Sequence, residues 1–560
     1  MSWRSFVSFL LLISAVLPVG SVAATKPDVI LITLDSVRAD RVGFLGSRKN
    51  LSPGLDALAR QGIIFERAYS QSPLTVESNA TILTGTYPQT HRASELAVPL
   101  AAVLPYLPDL LHAQGYRTAA FVGSVLLDPQ NGPFQGYARG FDSYDAVRPG
   151  PQGGNGAVVP HVAKLLASHS RQPLFLWVNL HDFHGPSASY DRAVAATDGA
   201  VSQIIKAVQT QKRYDGALIV VVSTHGESLG AHGEDGHGIF LYDETIHVPL
   251  VVKLPEGKTA GKRVTNRARL VDIAPTVLEA CGIPVPSQMQ GQSLLRVAQS
   301  SSQADQPAYA RSDLPQQGFG WSPLESWRAG KYLYVRAPQP ELYDLSADPG
   351  ATHNLAQTSK ATLDTIAAQM QAFDNHLSES SGKAVTPGLT SSQMQLLASL
   401  GYVGIQKTSG GVNPAASGTD PKSMIAVANH TLPALLDVEN GRLEKAIPAF
   451  QQVLAKEPNV YLAQYGMGWA LAKQQQYSKA IAYLHKAIEL QPDSAWAHYE
   501  MGLSLAKTGD FKTAAVHLEI ASGRLPELAA VHSTLADVYT HLGRNEDANR
   551  ERTRISQLQK

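Results

Sequence analysis

The chain has 560 residues, too many for one ordinary domain, and its apolar fraction of 44% is that of a globular protein. Lys plus Arg and Asp plus Glu both number 47, so the chain has neither a basic excess for nucleic acid nor an acidic tail. The single cysteine, Cys281, excludes an internal disulfide, and its apolar setting makes it a small core residue.

Arg4 precedes an apolar run over residues 6–19, and Ser21-Val22-Ala23 then offers small residues for cleavage. This is the three-part layout of a secretory signal peptide over residues 1–23. The run falls short of the roughly 20 apolar residues that span a bilayer; an uncleaved anchor is the alternative. No later segment spans a membrane, so the mature chain is expected in the periplasm or secreted.

Val29-Ile-Leu-Ile-Thr-Leu is continuously apolar and predicts a strand buried on both faces, ending at Asp35. A short amphipathic helix follows over residues 55–61, and a brief strand over 63–65. The stretch from Ser72 to His91 starts with hydroxyls, continues as a helical turn and breaks at Gly85, Tyr87 and Pro88. Thr75 stands where this helix begins, a place suited to an anion-binding nucleophile or simply to a helix cap. A helix over 107–114 closes at Gly115, and a strand follows over 118–122. Residues 128–156 read as a loop, and 159–169 as a helix. A second apolar strand, 174–180, ends in His181-Asp182-Phe183-His184; a third, 217–223, ends in Thr224-His225-Gly226-Glu227. His232, Glu234, Asp235 and His237 crowd the next turn, before a strand over 248–252. Beyond it come a helix at 272–280, short aromatic strands at 331–335 and 341–345 that suit a small antiparallel subdomain, and a helix at 361–377.

Residues 405–424 have the composition of a flexible linker, and 425–560 repeat. Pro458, Pro492 and Pro526 stand 34 residues apart, as do Ala446, Ala480, Ala514 and Ala548; Gly468 and Gly502 keep the same step. That period, with small residues where paired helices cross, is the tetratricopeptide (TPR) pattern. Such arrays present a concave face, usually to a protein or peptide; a purely structural spacer is the alternative.

Polar clusters therefore end three strands, at Asp35, at Asp182 with His184, and at Thr224 with His225. Convergence at strand ends is what a catalytic site in an α/β domain requires, and carboxylates with imidazoles suit a divalent metal. No Gly-x-Ser-x-Gly elbow occurs.

These residues resemble a family. The runs Asp28-Val-Ile-Leu-Ile-Thr-Leu-Asp35, Leu83-Thr-Gly-Thr-Tyr-Pro, His225-Gly-Glu-Ser-Leu-Gly, Gly236-His-Gly-Ile-Phe-Leu-Tyr-Asp-Glu and Glu341-Leu-Tyr-Asp-Leu are similar to those of sulfatases of the alkaline-phosphatase superfamily that carry C-terminal TPR repeats. The resemblance implies an α/β domain over residues 24–404, an alkaline-phosphatase-like sheet sandwiched by helices with a small antiparallel subdomain, followed by an all-α array. It implies a hydrolase or transferase of sulfate or phosphate esters, acting on a small molecule, a glycan or a lipid head group. A divalent metal (zinc, calcium or manganese) would be held by Asp35, Thr75, His225, Asp182, His184 and His237. Thr75 falls where sulfatases carry the Cys or Ser that becomes formylglycine. Threonine cannot be converted, so Thr75 would itself attack, as in related phosphodiesterases, with His225 beside it. The chain departs from the sulfatase pattern at Ser36 and Thr224, which replace aspartates, and at Asn79, which replaces an arginine. The alternative implied by those departures is a degenerate domain that binds rather than catalyses, with the repeats as the working surface.

Overall fold

The computed structural model describes residues 26–93, 100–129, 136–147, 155–168, 170, 172–181, 187–299, 305–380 and 418–558. The expected signal peptide lies outside the described residues, as do Asp182, His184 and most of the expected linker. The linker's last residues, from Pro421, are already helical.

Eight strands form the main sheet: β1 (Val29–Leu34), β2 (Ile63–Tyr69), β3 (Arg117–Val122), β4 (Ser143–Ala146), β5 (Leu174–Leu180), β6 (Leu218–Ser223), β7 (His247–Lys253) and β8 (Arg263–Arg269), in the order β4-β3-β5-β1-β6-β7-β2-β8. β1 is central and pairs in parallel with β5 and β6. Its alternate side chains enter two different cores. Val29 and Leu31 join the helices Thr75–Thr84 and Ile273–Ala280 on one face. Ile30, Ile32 and Leu34 join the helices Pro53–Ala59, Val158–Ala167 and Ser187–Thr210 on the other. Burial on both faces is why the strand carries no polar alternation. Cys281 packs at the edge of the first of these cores.

Two strands of this sheet differ from the sequence reading. β4 lies inside the expected loop; it is a four-residue edge strand, too short and too exposed to carry a period. β8, Arg-Val-Thr-Asn-Arg-Ala-Arg, has too many charges to read as a buried strand. Its Arg267 and Arg269 are nonetheless buried, because Asp305 and Asp272 pair with them at 2.6 and 2.8 Å.

A second sheet of four antiparallel strands, β9 (Ala308–Ser312), β10 (Leu324–Ala329), β11 (Tyr332–Arg336) and β12 (Glu341–Asp344), is ordered β12-β11-β10-β9. The helix Lys360–Ser380 packs on it through Ile366, Met370 and Leu377.

The array consists of helices Pro421–Glu439, Leu443–Lys456, Tyr461–Lys473, Tyr477–Leu490, Ala495–Thr508, Phe511–Arg524, Ala529–His541 and Asn545–Leu558. The 34-residue repeat has a direct steric meaning. A Cβ on Gly468 would come within 2.6 Å of Leu484, and one on Gly502 equally close to Leu518, so the paired helices approach at the glycines. Ala446, Ala480, Ala514 and Ala548 are fully buried at the matching contacts. The Pro458, Pro492 and Pro526 carbonyls accept hydrogen bonds from Gln464, His498 and His532, each six residues on.

The array is docked. The helix Tyr461–Lys473 shares a hydrophobic core with Phe319, Trp321 and the second sheet, and Leu462 lies against Gly318. Lys422 pairs with Glu341, and the Gln339 N–H donates to Asp420. Its first helices are therefore occupied within the chain itself.

Candidate active site

The parallel register places the site. Leu34 is opposite Leu180 on β5 and Ser223 on β6, so one step past the strand ends Asp35, His181 and Thr224 stand side by side. Thr224 Oγ1 donates to Asp35 Oδ1 at 2.5 Å. His181 Nδ1 and Asn179 Nδ2 donate to Asp35 Oδ2 at 2.8 and 3.3 Å. Burial pushes the Asp35 carboxyl up, but the His181 and Thr224 bonds and the nearby imidazoles outweigh it and hold it below the usual carboxylate range. Ser36 follows in the left-handed region, at φ 60°, with its carbonyl bound by the Tyr190 hydroxyl at 2.6 Å.

Thr75 is not a cap. The helix Thr75–Thr84 has Leu74 as its N-cap, with no side-chain capping bond, so Thr75 is the first helical residue. Its hydroxyl instead meets His225 Nε2 at 3.2 Å. Gly85 ends the helix in the left-handed region at φ 65°, where Met289 and Pro275 would also be in tight contact with any Cβ.

His225 is fully buried, and Nδ1 lies 2.8 Å from the Gly226 carbonyl. A carbonyl only accepts, so Nδ1 carries the proton. Burial, with the neighbouring His237 charge, pushes the imidazole down to about 3 and keeps it neutral. Nε2 is then the acceptor, and the Thr75 hydroxyl donates to it. Gly226 is required here, because a Cβ would collide with the Glu244 carbonyl.

His237 lies against His225, with ring centroids 4.2 Å apart, and its Nδ1 is 3.0 Å from Glu227 Oε2. Burial opposes protonation of His237, but the Glu227 carboxylate outweighs it and raises the imidazole. Glu77, two residues after Thr75 in the same helix, is buried and accepts from Ser72. Burial, reinforced by Asp313, pushes its carboxyl up to about 8.

Asp35, Thr75, His225 and His237 are thus brought together, and Asp182 and His184 lie outside the described residues. The sequence reading missed His181 and Glu227. It named Asp182 and His184 from the run after β5, and the register adds His181, the first residue past the strand, as the neighbour of Asp35.

The residues present can be tested against the expected divalent ion. Both Asp35 oxygens already accept hydrogen bonds, and Thr224 offers a donor where a second carboxylate was expected. Among the described residues no group of three or more His, Cys, Asp or Glu is placed to hold a metal. These donors do not fit a divalent cation on their own.

Residues 27–283 match the sulfatase family model. The chain carries a sulfatase-family domain. Residues 233–379 match the model described as the N-sulphoglucosamine sulphohydrolase C-terminal part, and residues 434–495 a tetratricopeptide repeat model. The chain is 24% identical over 413 residues to an ulvan-active sulfatase of Formosa agariphila, covering 62% of this chain and 80% of that protein. It is 22% identical over 434 residues to a delta 4,5-hexuronate-2-O-sulfatase of Bacteroides thetaiotaomicron, covering 64% and 90%. Among solved structures, the phosphonate monoester hydrolase of Agrobacterium radiobacter superimposes with a TM-score of 0.54 at 19% identity, covering 63% of this chain and 96% of that one. A 2-O GAG sulfatase gives 0.54 at 18%, covering 63% and 92%. At these identities the structural likeness establishes the fold alone, the mixed sheet with the small antiparallel sheet, while the helical array beyond them matches the tetratricopeptide repeat model.

Proposed function

We propose that the sulfatase-family domain is a hydrolase or transferase of sulfate or phosphate esters in which Thr75 is the nucleophile and His225 its general base. The observation that carries this reading is the Thr75 hydroxyl donating to a neutral, tautomer-fixed imidazole at 3.2 Å. That is the geometry by which a weak hydroxyl nucleophile is activated. Thr75 attacks the sulfur or phosphorus in line, its proton passes to His225 Nε2, and the ester oxygen leaves. Water then hydrolyses the covalent threonine ester, or an acceptor alcohol takes up the group. The first N–H groups of the helix Thr75–Thr84 have no intrahelical partners, and they face an anion favourably.

The names of the relatives support a sulfated sugar as the first substrate class to test. The signal-like N-terminus supports export to the periplasm or medium. Among the described residues no helix is long and apolar enough to cross a membrane. The distal repeats, beyond the docked first helices, leave room for a protein or peptide partner.

The test is turnover of aryl sulfates, aryl phosphodiesters and sulfated oligosaccharides, with mass spectrometry of the Thr75 peptide after a rapid acid quench. A covalent adduct on Thr75, and at least about a thousandfold loss in Thr75→Ala, are expected. Equal turnover by wild type and variant would refute the nucleophile. A second reading, a binding domain without turnover, is favoured by the three hydrogen bonds that Asp35 already accepts within the protein. It predicts sulfate or glycan binding with no adduct under any substrate.

A further inference from the structure

The turn after β6 carries Glu227 and His237, and it is conformationally expensive. Leu229, Gly230, His232 and Gly233 all have positive φ, at 55°, 87°, 53° and 86°. Two of the four are not glycine, and such backbone persists only where surrounding contacts over-determine it. Part of the determination is internal. Ser228 N–H donates to the Gly236 carbonyl and Gly230 N–H to the Glu234 carbonyl, each at 2.8 Å. His232 stacks on Tyr242 with centroids 3.6 Å apart.

The remainder comes from the repeat array. Asn429, in the helix Pro421–Glu439, donates its side-chain N–H to the Gly233 carbonyl at 2.8 Å. Its side-chain oxygen accepts from the Asp235 N–H at 3.1 Å. One amide thus satisfies a donor and an acceptor two residues apart, as a neighbouring strand would. Ile425, one turn earlier, lies against Gly233. Ten residues further on, about 15 Å along the helix, the Glu439 carboxyl lies in the field of His181, the imidazole that bonds Asp35.

We infer that the first helix of the array is a working part of the active site, and that Asn429 is a positioning residue that clamps the 228–236 turn so that Glu227 and His237 stand against His225. The repeats then hold the site's geometry as well as any partner, and whatever binds or displaces the first helix alters the site. This rests on the reading that the Thr75–His225 pair is the working centre, but its central claim concerns the turn and is measured without turnover.

The experiment is amide hydrogen exchange by mass spectrometry on the full chain, comparing wild type, Asn429→Ala, Asn429→Asp and Lys422→Ala. Lys422 lies on the same helix but anchors it to Glu341 and the Gln339 carbonyl, away from the turn. Asn429→Asp keeps the acceptor for Asp235 N–H and loses the donor to Gly233. Peptides covering 227–237 should exchange about tenfold faster in Asn429→Ala, the size of one net hydrogen bond. The gain should be smaller in Asn429→Asp, and Lys422→Ala should leave these peptides unchanged. Where an ester is turned over, Asn429→Ala should lower kcat with KM little changed. Unchanged exchange of 227–237 in Asn429→Ala, or equal acceleration in Lys422→Ala, would overturn the assignment and make Asn429 ordinary interface packing. Absence of turnover in wild type, with the exchange pattern as expected, would refute the catalytic reading and leave the clamp standing.

Discussion

Thr75→Val is the sharpest perturbation of the site, because it keeps the shape of the side chain and removes only the hydroxyl. His225 Nδ1 is committed to the Gly226 carbonyl, so Nε2 has no proton to offer and, without Thr75, loses its donor. His225 is fully buried, so water does not substitute freely at that nitrogen. An acceptor buried without a partner costs about 1–3 kcal/mol, more than the net worth of the bond itself. The expected outcome is a melting temperature lower by several degrees together with loss of turnover, whereas Thr75→Ser, which keeps the hydroxyl, stays near wild type in stability. Thermal melts of the three proteins, monitored at the sulfatase-family domain, make the comparison. A Thr75→Val protein as stable and as active as wild type would refute both the hydrogen bond and the tautomer assignment. The same burial sets the pH response of the base. With His225 pushed down to about 3, the acid limb of any rate profile should not arise near the ordinary histidine value, and turnover should persist at pH 5.

Two further outcomes follow from the packing. In the array, His498 Nε2 donates to the Pro492 carbonyl, so its Nδ1 accepts from His517 Nδ1 at 2.8 Å, with both rings buried and neutral and with the Arg524 charge opposing protonation of His498. Burial lowers His498 to about 4, so the unfolded chain binds more protons below pH 6.5; array stability is intact above that value and falls as pH drops towards 4. His498→Gln, which copies Gln464 one repeat earlier, should flatten this loss in helix melts at pH 4–7, and an unchanged pH dependence would show that the pair is not its source. For the metal, protein purified without added ions and treated with chelator should keep its melting temperature, because the Asp35 oxygens are already hydrogen-bonded within the protein; stoichiometric zinc, calcium or manganese surviving purification would contradict that reading of the donors.

What the sequence determined was whatever depends on local pattern. Continuous apolar runs announced β1, β5 and β6, because strands covered on both faces have no polar side to alternate with. The array was equally legible, because each repeat solves the same contact, Gly468 against Leu484 and Gly502 against Leu518, and the same small residue must recur every 34 positions. Charge pairing hid β8, since its arginines are buried only by virtue of Asp272, three residues past the strand, and Asp305, 38 residues from Arg267.

What only the tertiary structure decided was which side chains meet. Local signals left Thr75 open between a helix cap and a nucleophile, and the direction of its hydroxyl depends on His225, 150 residues away. The run after β5 offered several polar residues, and strand register, a property of the assembled sheet, placed His181 beside Asp35. Nothing in the repeat period told that Asn429 would reach across to Gly233 and Asp235. A repeat encodes contact with its neighbours in the stack, while the docking of the stack on the catalytic turn is a meeting of two surfaces whose residues lie about 195 positions apart.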